Sequence, residues 1–171
     1  MSTESQAVYE AIGKNQGEGQ RLEEQYPFVQ EVHPQGQRSF FDEAVTLGDN
    51  AVVLDVGTGA GLNIVTVIFT PMLIVYALIG SWVLDFAQTV PPSVSIHAVD
   101  TSTTFFPTTH PQNIVFAKHS GTALPQTWTN KFDFINQSLL AGCLTRDDWI
   151  QDLQETLSSH KTRRTHPTIR A

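Results

Sequence analysis

The chain has 171 residues, 40% of them hydrophobic, and a formal net charge of -7; by length it is one domain with enough apolar material to bury a core. The acidic balance argues against a nucleic-acid-binding body, which needs a clustered cationic face, and leaves small molecules or proteins as partners. The single cysteine, Cys143, excludes an internal disulfide and a multi-cysteine metal site, so a reducing, cytoplasmic setting is expected.

Residues 1–20 are rich in Ser, Glu, Gln and Gly, contain no secretory apolar core, and predict a mobile arm. Phe40, Phe41, Ala44 and Val45 then recur at helical spacing, which predicts a helix ending at Gly48 and packed beside a sheet. The stretch that organises the chain is Ala51 to Gly61, AVVLDVGTGAG. Val52, Val53, Leu54 and Val56 form the short β-branched run of a strand buried on both faces, with Asp55 near its exit. Gly57, Gly59 and Gly61 remove side chains at alternate positions, so the backbone can turn tightly and approach a ligand. A carboxylate at the mouth of this turn would repel a pyrophosphate, whereas a ligand carrying sulfonium and ammonium groups suits it. The D-x-G-x-G-x-G spacing also differs from the G-x-G-x-x-G of dinucleotide binders, which disfavours an NAD-dependent oxidoreductase. It resembles motif I of the class I S-adenosylmethionine-dependent methyltransferases. That resemblance implies an α/β fold, a Rossmann-like sheet with flanking helices, and S-adenosyl-L-methionine as cofactor.

No charged residue occurs from Val56 to Leu84. Three readings of this run stand side by side. Its length suffices for a membrane span through 62–84, although Pro71 lies in its middle and no Lys or Arg flanks it closely. It would also serve as a buried helix or pair of strands inserted in the domain. The third reading, an in-frame insertion over Leu62 to Gly80 such as a translated intron, explains more. Without those residues the glycine turn runs directly into a helix whose apolar face is Trp82, Val83, Phe86, Ala87 and Val90. The separation from Asp55 to Asp100 then falls from 45 residues to 26, close to the roughly 20 expected between a glycine turn and a ribose-binding acid.

Pro91 and Pro92 stop that helix, and Val94 to Val99 predicts the second strand. Asp100 follows at its carboxyl end, where one carboxylate can accept both hydroxyls of a ribose. His97 on this strand is expected to be a packed or edge histidine, since no second metal ligand is spaced near it. Asn113 to Ala117 predicts the third strand, followed by a loop containing His119, Ser120 and Gly121. Lys131 to Leu140 predicts the fourth strand and its exit, with Asn136 and Gln137 facing a ligand. Thr145 then opens a helix as N-cap with Asp148 three residues on, a variant capping box, and Trp149, Ile150, Leu153 and Leu157 are its expected buried face. Cys143, near the start of this helix and without a paired histidine, is expected to be structural. There is no P-loop, metal motif or Ser-His-Asp order.

The run from NIVFAKHSGTALPQTW through NKFDFINQSLLAGCLTRDDW is similar to the fungal LaeA-like methyltransferases, many of them tied to secondary metabolism. The likeness covers roughly residues 20–157 without the insertion. It implies a methyl-donor site at Asp55, Gly57, Gly59, Gly61 and Asp100, with Asn136 facing the donor. Ser120 occupies the loop where many class I members place an acid on the adenine. Beyond Leu157 the family continues into R-V-L-K-P-G-G and further strands, whereas this chain reads SSHKTRRTHPTIRA. The expected organisation is an arm over 1–20, a partial methyltransferase domain over 21–157 truncated after the fourth strand and helix, and a basic, disordered tail over 158–171. The fourth strand is expected at an unpaired edge. Two functions follow: a methyltransferase acting on a small molecule in fungal secondary metabolism, or a truncated, non-catalytic relative that is regulatory or an unproductive splice form. Methyl transfer needs chiefly alignment of the acceptor, and His119 is the nearest candidate base by position.

Overall fold

The structure, a computed structural model, describes residues 46–59, 82–137, 140 and 143–162. The N-terminal arm, the helix expected around Phe40 to Val45, Gly61, the apolar stretch Leu62 to Gly80 and the tail beyond Thr162 lie outside the described residues. The elements in chain order are β1 (Val52–Val56), α1 (Trp82–Thr89), β2 (Ser95–Asp100), β3 (Ile114–Lys118), a single 3-10 turn (Gln126–Trp128), β4 (Phe134–Gln137) and α2 (Arg146–Ser159). The four strands form one parallel sheet in the order β3-β2-β1-β4. This is a Rossmann-like α/β arrangement. Because β2 and β3 extend the sheet on one side of β1 and β4 on the other, the winding reverses at β1, the place where open α/β sheets bind ligands outside their carboxyl ends.

Side chains alternate across the pleat, so each strand feeds two cores. On one face Val53, Ile96 and Ala98 meet Trp82, Val83 and Phe86 of α1. On the other, Leu54, Val56 and Val99 meet Leu124 and Phe132. The expected α1 face is the observed one, with Ala87 and Val90 packed at its margin. His97 is half-buried and packed, as expected. Its ring lies edge-on to Trp128 at 5.2 Å and to Phe132 at 5.5 Å between centroids. Burial, reinforced by the Lys131 charge, pushes its pKa down to about 4.

β4 stands at the edge of the sheet among the described residues. Its entry is anchored by Asp133, whose Oδ2 accepts from the Val52 N–H at 2.8 Å and from Lys161 Nζ at 2.6 Å. Backbone hydrogen bonds from Lys131 and Phe132 to the Ser159 carbonyl, and from Lys161 to that of Phe132, tie the end of α2 to the same place. The chain therefore stays attached to the sheet past Leu157, through Lys161.

α2 differs from expectation in its rotation. Thr145 is its N-cap and accepts from the Asp148 N–H, as read from the sequence. Its inward face, however, is Asp148, Asp152, Thr156 and Ser159, while Ile150, Leu153 and Leu157 are exposed and Trp149 is only half-buried. The rotation is set by hydrogen bonds that hydrophobic spacing does not register: the tie of its last turn to Lys131 and Phe132, and a bond from Gln137 Nε2 to Asp152 Oδ2 at 2.5 Å. Replacing Ile150, Leu153 and Leu157 together by Gln should change the stability measured by urea unfolding by no more than about 0.5 kcal/mol per site. Were these side chains packed inside, each truncation would cost about 2–5 kcal/mol.

Candidate functional site

The site is built at the carboxyl ends of β1 and β2. Gly57 and Gly59 both take positive φ, +72° and +62°, a conformation that costs other residues roughly 1–2 kcal/mol. The turn is clamped to β2: the N–H groups of Gly57 and Thr58 donate to the Val99 carbonyl, and the Gly59 N–H donates to Asp100 Oδ2 at 3.0 Å. Asp100 Oδ1 accepts the Ser102 N–H at 2.9 Å. The Asp100 carboxylate thus couples the glycine turn to the chain leaving β2.

Asp55 is 3% exposed and pairs across the sheet with Asn136, whose Nδ2 donates to its Oδ1 at 2.7 Å. The pairing follows from the parallel register, in which Asp55 lies opposite Asn136. Burial raises the Asp55 pKa from 3.8 to about 6; the Thr58 hydroxyl and the Asn136 amide oppose the rise, and the nearby Asp100 charge adds to it. The Thr58 oxygen is itself buried and meets no partner at full hydrogen-bond geometry among the described residues.

A cleft opens beside the turn, lined by Val56, Gly57, Asp100 and Thr101, by His119, Ser120 and Gly121 after β3, and by Leu140, Cys143, Leu144 and Asp152. Of the residues expected at a methyl-donor site, Gly57, Asp100 and Ser120 line this cleft. Gly59 sits in the clamped turn, Asp55 and Asn136 are joined to each other behind it, and Gly61 lies outside the described residues. The Ser120 hydroxyl is engaged within its own loop, 2.8 Å from Thr122 Oγ1 and accepting from the Thr122 N–H.

Sequence reasoning missed Asp152, a wall of the cleft supplied by α2. It also missed Leu140, which lies over Gly57: a methyl group on Gly57 would stand 2.6 Å from Leu140 Cδ2. Asp152 belongs to the polar stripe of α2 at spacing 148, 152, 156 and 159, a signal that reads as a solvent face unless a hydrogen-bonding partner is known. With Leu140 and Asp152 in place the cleft holds about 40 Å³, far below the roughly 300–1,000 Å³ of a drug-sized ligand site. Leu140 fills the space over Gly57 that a ligand approaching the turn would need.

The fold and site define a parallel α/β domain with a glycine turn and an acidic cleft at its winding reversal. No family model matches the chain, and neither a curated protein nor a solved structure shows significant similarity to it. Among the described residues no group of His, Cys, Asp and Glu is placed to hold a metal ion, and no helix is long and apolar enough to cross a membrane.

Proposed function

We propose that this chain is a nucleoside-binding α/β protein of the S-adenosylmethionine-dependent methyltransferase type, acting on a small-molecule acceptor in fungal secondary metabolism. The observation that carries the proposal is the Gly59 N–H bonded to Asp100, which locks the glycine turn of β1 to the acid ending β2 at the sheet's winding reversal. Gly57 and Gly59 would let the ligand approach the backbone, and Asp100 would take the ribose hydroxyls. When bound, S-adenosylmethionine supplies a methyl group already activated by its sulfonium. The protein's task is then to align the acceptor and exclude water.

A second reading, a relative that retains the sheet without catalysis, draws support from Leu140 seated over Gly57 and from the small cleft. Calorimetric titration with S-adenosylhomocysteine tests the first. Micromolar binding to the full chain, lost in Asp100→Ala, is the expected result. Binding that survives Asp100→Ala, or no binding by the full chain or by a variant lacking Leu62 to Gly80, would overturn it. Binding without methyl transfer to any acceptor supports the second reading.

A further inference from the structure

Asp152 is the one buried carboxylate of the cleft that is held from one side only. It is 1% exposed. Gln137 donates to its Oδ2, while Oδ1 is buried and has no hydrogen-bond partner among the described residues. Leaving such an oxygen unsatisfied costs on the order of 1–3 kcal/mol, more for a charged group. Two features set the carboxylate in the wall of the cleft. Gln137, at the carboxyl end of β4, fixes one oxygen. Gly121 makes room for the other, since a methyl group on Gly121 would lie 1.8 Å from Asp152 Oδ1 and 2.8 Å from Val56 Cγ1.

The surroundings select the charge of the missing partner. Asp100 is a second carboxylate on the same cleft, and among the described residues no lysine or arginine lines it. Val56, Leu140 and Leu144 supply apolar wall, and a metal ion has no ligand set among the described residues. About 40 Å³ admits a head group of a few heavy atoms, since one water needs roughly 10–15 Å³ by the same measure. A water could meet one oxygen, but two carboxylates on a partly apolar cleft favour a cation over a neutral guest.

Resting on the reading of this cleft as a ligand site, we propose that Asp152 anchors the ammonium group of an amine ligand, with Gln137 and Gly121 as its positioning residues. The alkyl part of the ligand lies against Leu140 and Leu144.

The test is a ¹⁵N NMR titration of the full chain with n-butylammonium chloride, followed at the Gly57 and Gly121 amides, with n-butanol as the neutral isostere. Saturable shifts with the amine and none with the alcohol are expected, together with an at least tenfold weaker affinity in Asp152→Asn and unchanged affinity in Asp147→Asn on the exposed side of α2. Gly121→Ala should weaken the amine as Asp152→Asn does. Equal response to amine and alcohol, no saturable response to the amine, or wild-type affinity in a folded Asp152→Asn would overturn the proposal. The amine-against-alcohol comparison needs no variant and so stands if a substitution fails to fold. A parallel S-adenosylhomocysteine titration separates the two readings: nucleoside binding without amine binding sinks the role of Asp152 alone, and amine binding without nucleoside binding sinks the methyltransferase reading alone.

Discussion

Asp55→Asn is expected to stabilise the ligand-free protein by about 3 kcal/mol near pH 7.5 and by only about 0.5 kcal/mol near pH 4. The folded carboxyl titrates at about 6 against 3.8 for its ordinary value, so the folded state holds a proton that the unfolded chain has released. Stability from this group is fully present below pH 3.8 and is lost as pH rises through 6, at roughly 1.4 kcal/mol for each pH unit between the two values. Asn keeps the shape, accepts from Asn136 as Asp55 does, and brings an N–H to the unpartnered Thr58 hydroxyl beside it. His97 acts in the opposite sense. Its pKa is lowered from 6.5 to about 4, so its contribution is lost as pH falls through that window. The two groups mask each other in the wild type, and being half-buried, His97 contributes the smaller share after solvent screening. The difference between variant and wild type cancels His97 and isolates Asp55. Urea unfolding of both proteins at several pH values between about 4 and 7.5 measures it. A difference that stays constant with pH would show that Asp55 is not the titrating group.

What the sequence conveyed here depended on whether a local pattern or a distant partner decides each feature. β1 was legible to the residue, because VVLDV is a β-branched run bounded by turn residues on both sides. β2 and β3 each begin and end one residue later than the apolar pattern suggests, since Asp100 and Lys118 complete the backbone ladder although their side chains are polar. The glycine turn was legible because positive φ has a strong residue preference. The Asp55–Asn136 pair was not: both residues were singled out, but only the strand register places them opposite each other. Ser120 was placed beside the site by its position in the loop after β3, while its hydrogen bond to Thr122 was not legible in the sequence. α2 shows the limit most clearly. Its start and cap followed from Thr145 and Asp148, yet its rotation is decided by Gln137 and by the backbone of Lys131 and Phe132, residues earlier in the chain that no helical periodicity encodes. Asp152 was missed for that reason alone.

Phe86→Ala is expected to cost about 3–5 kcal/mol, a large part of a total stability on the order of 5–15 kcal/mol. Phe86 is fully buried; its ring stacks on Trp82 at 4.6 Å, 9° from parallel, and lies 6.4 Å from Phe134 of β4. α1 has eight residues, too few to persist on backbone hydrogen bonding alone. The indole Nε1 of Trp82 is buried without a hydrogen-bond partner, so packing has to offset that loss as well. Truncating Phe86 removes the ring that joins helix to sheet, and α1 should detach rather than settle into the cavity. The near-ultraviolet circular dichroism of the aromatic stack should then collapse, with a fall in helical signal sized to one short helix. Phe86→Leu fills much of the volume and should cost distinctly less. Asp55 emerges on the same face of β1 as Val53, which α1 covers. Loss of the helix should therefore admit water to that carboxyl, return its pKa toward 3.8, and flatten the pH dependence that Asp55→Asn isolates. A Phe86→Ala protein with an intact aromatic signal and a cost below about 1 kcal/mol would mean that α1 is held by contacts other than this stack.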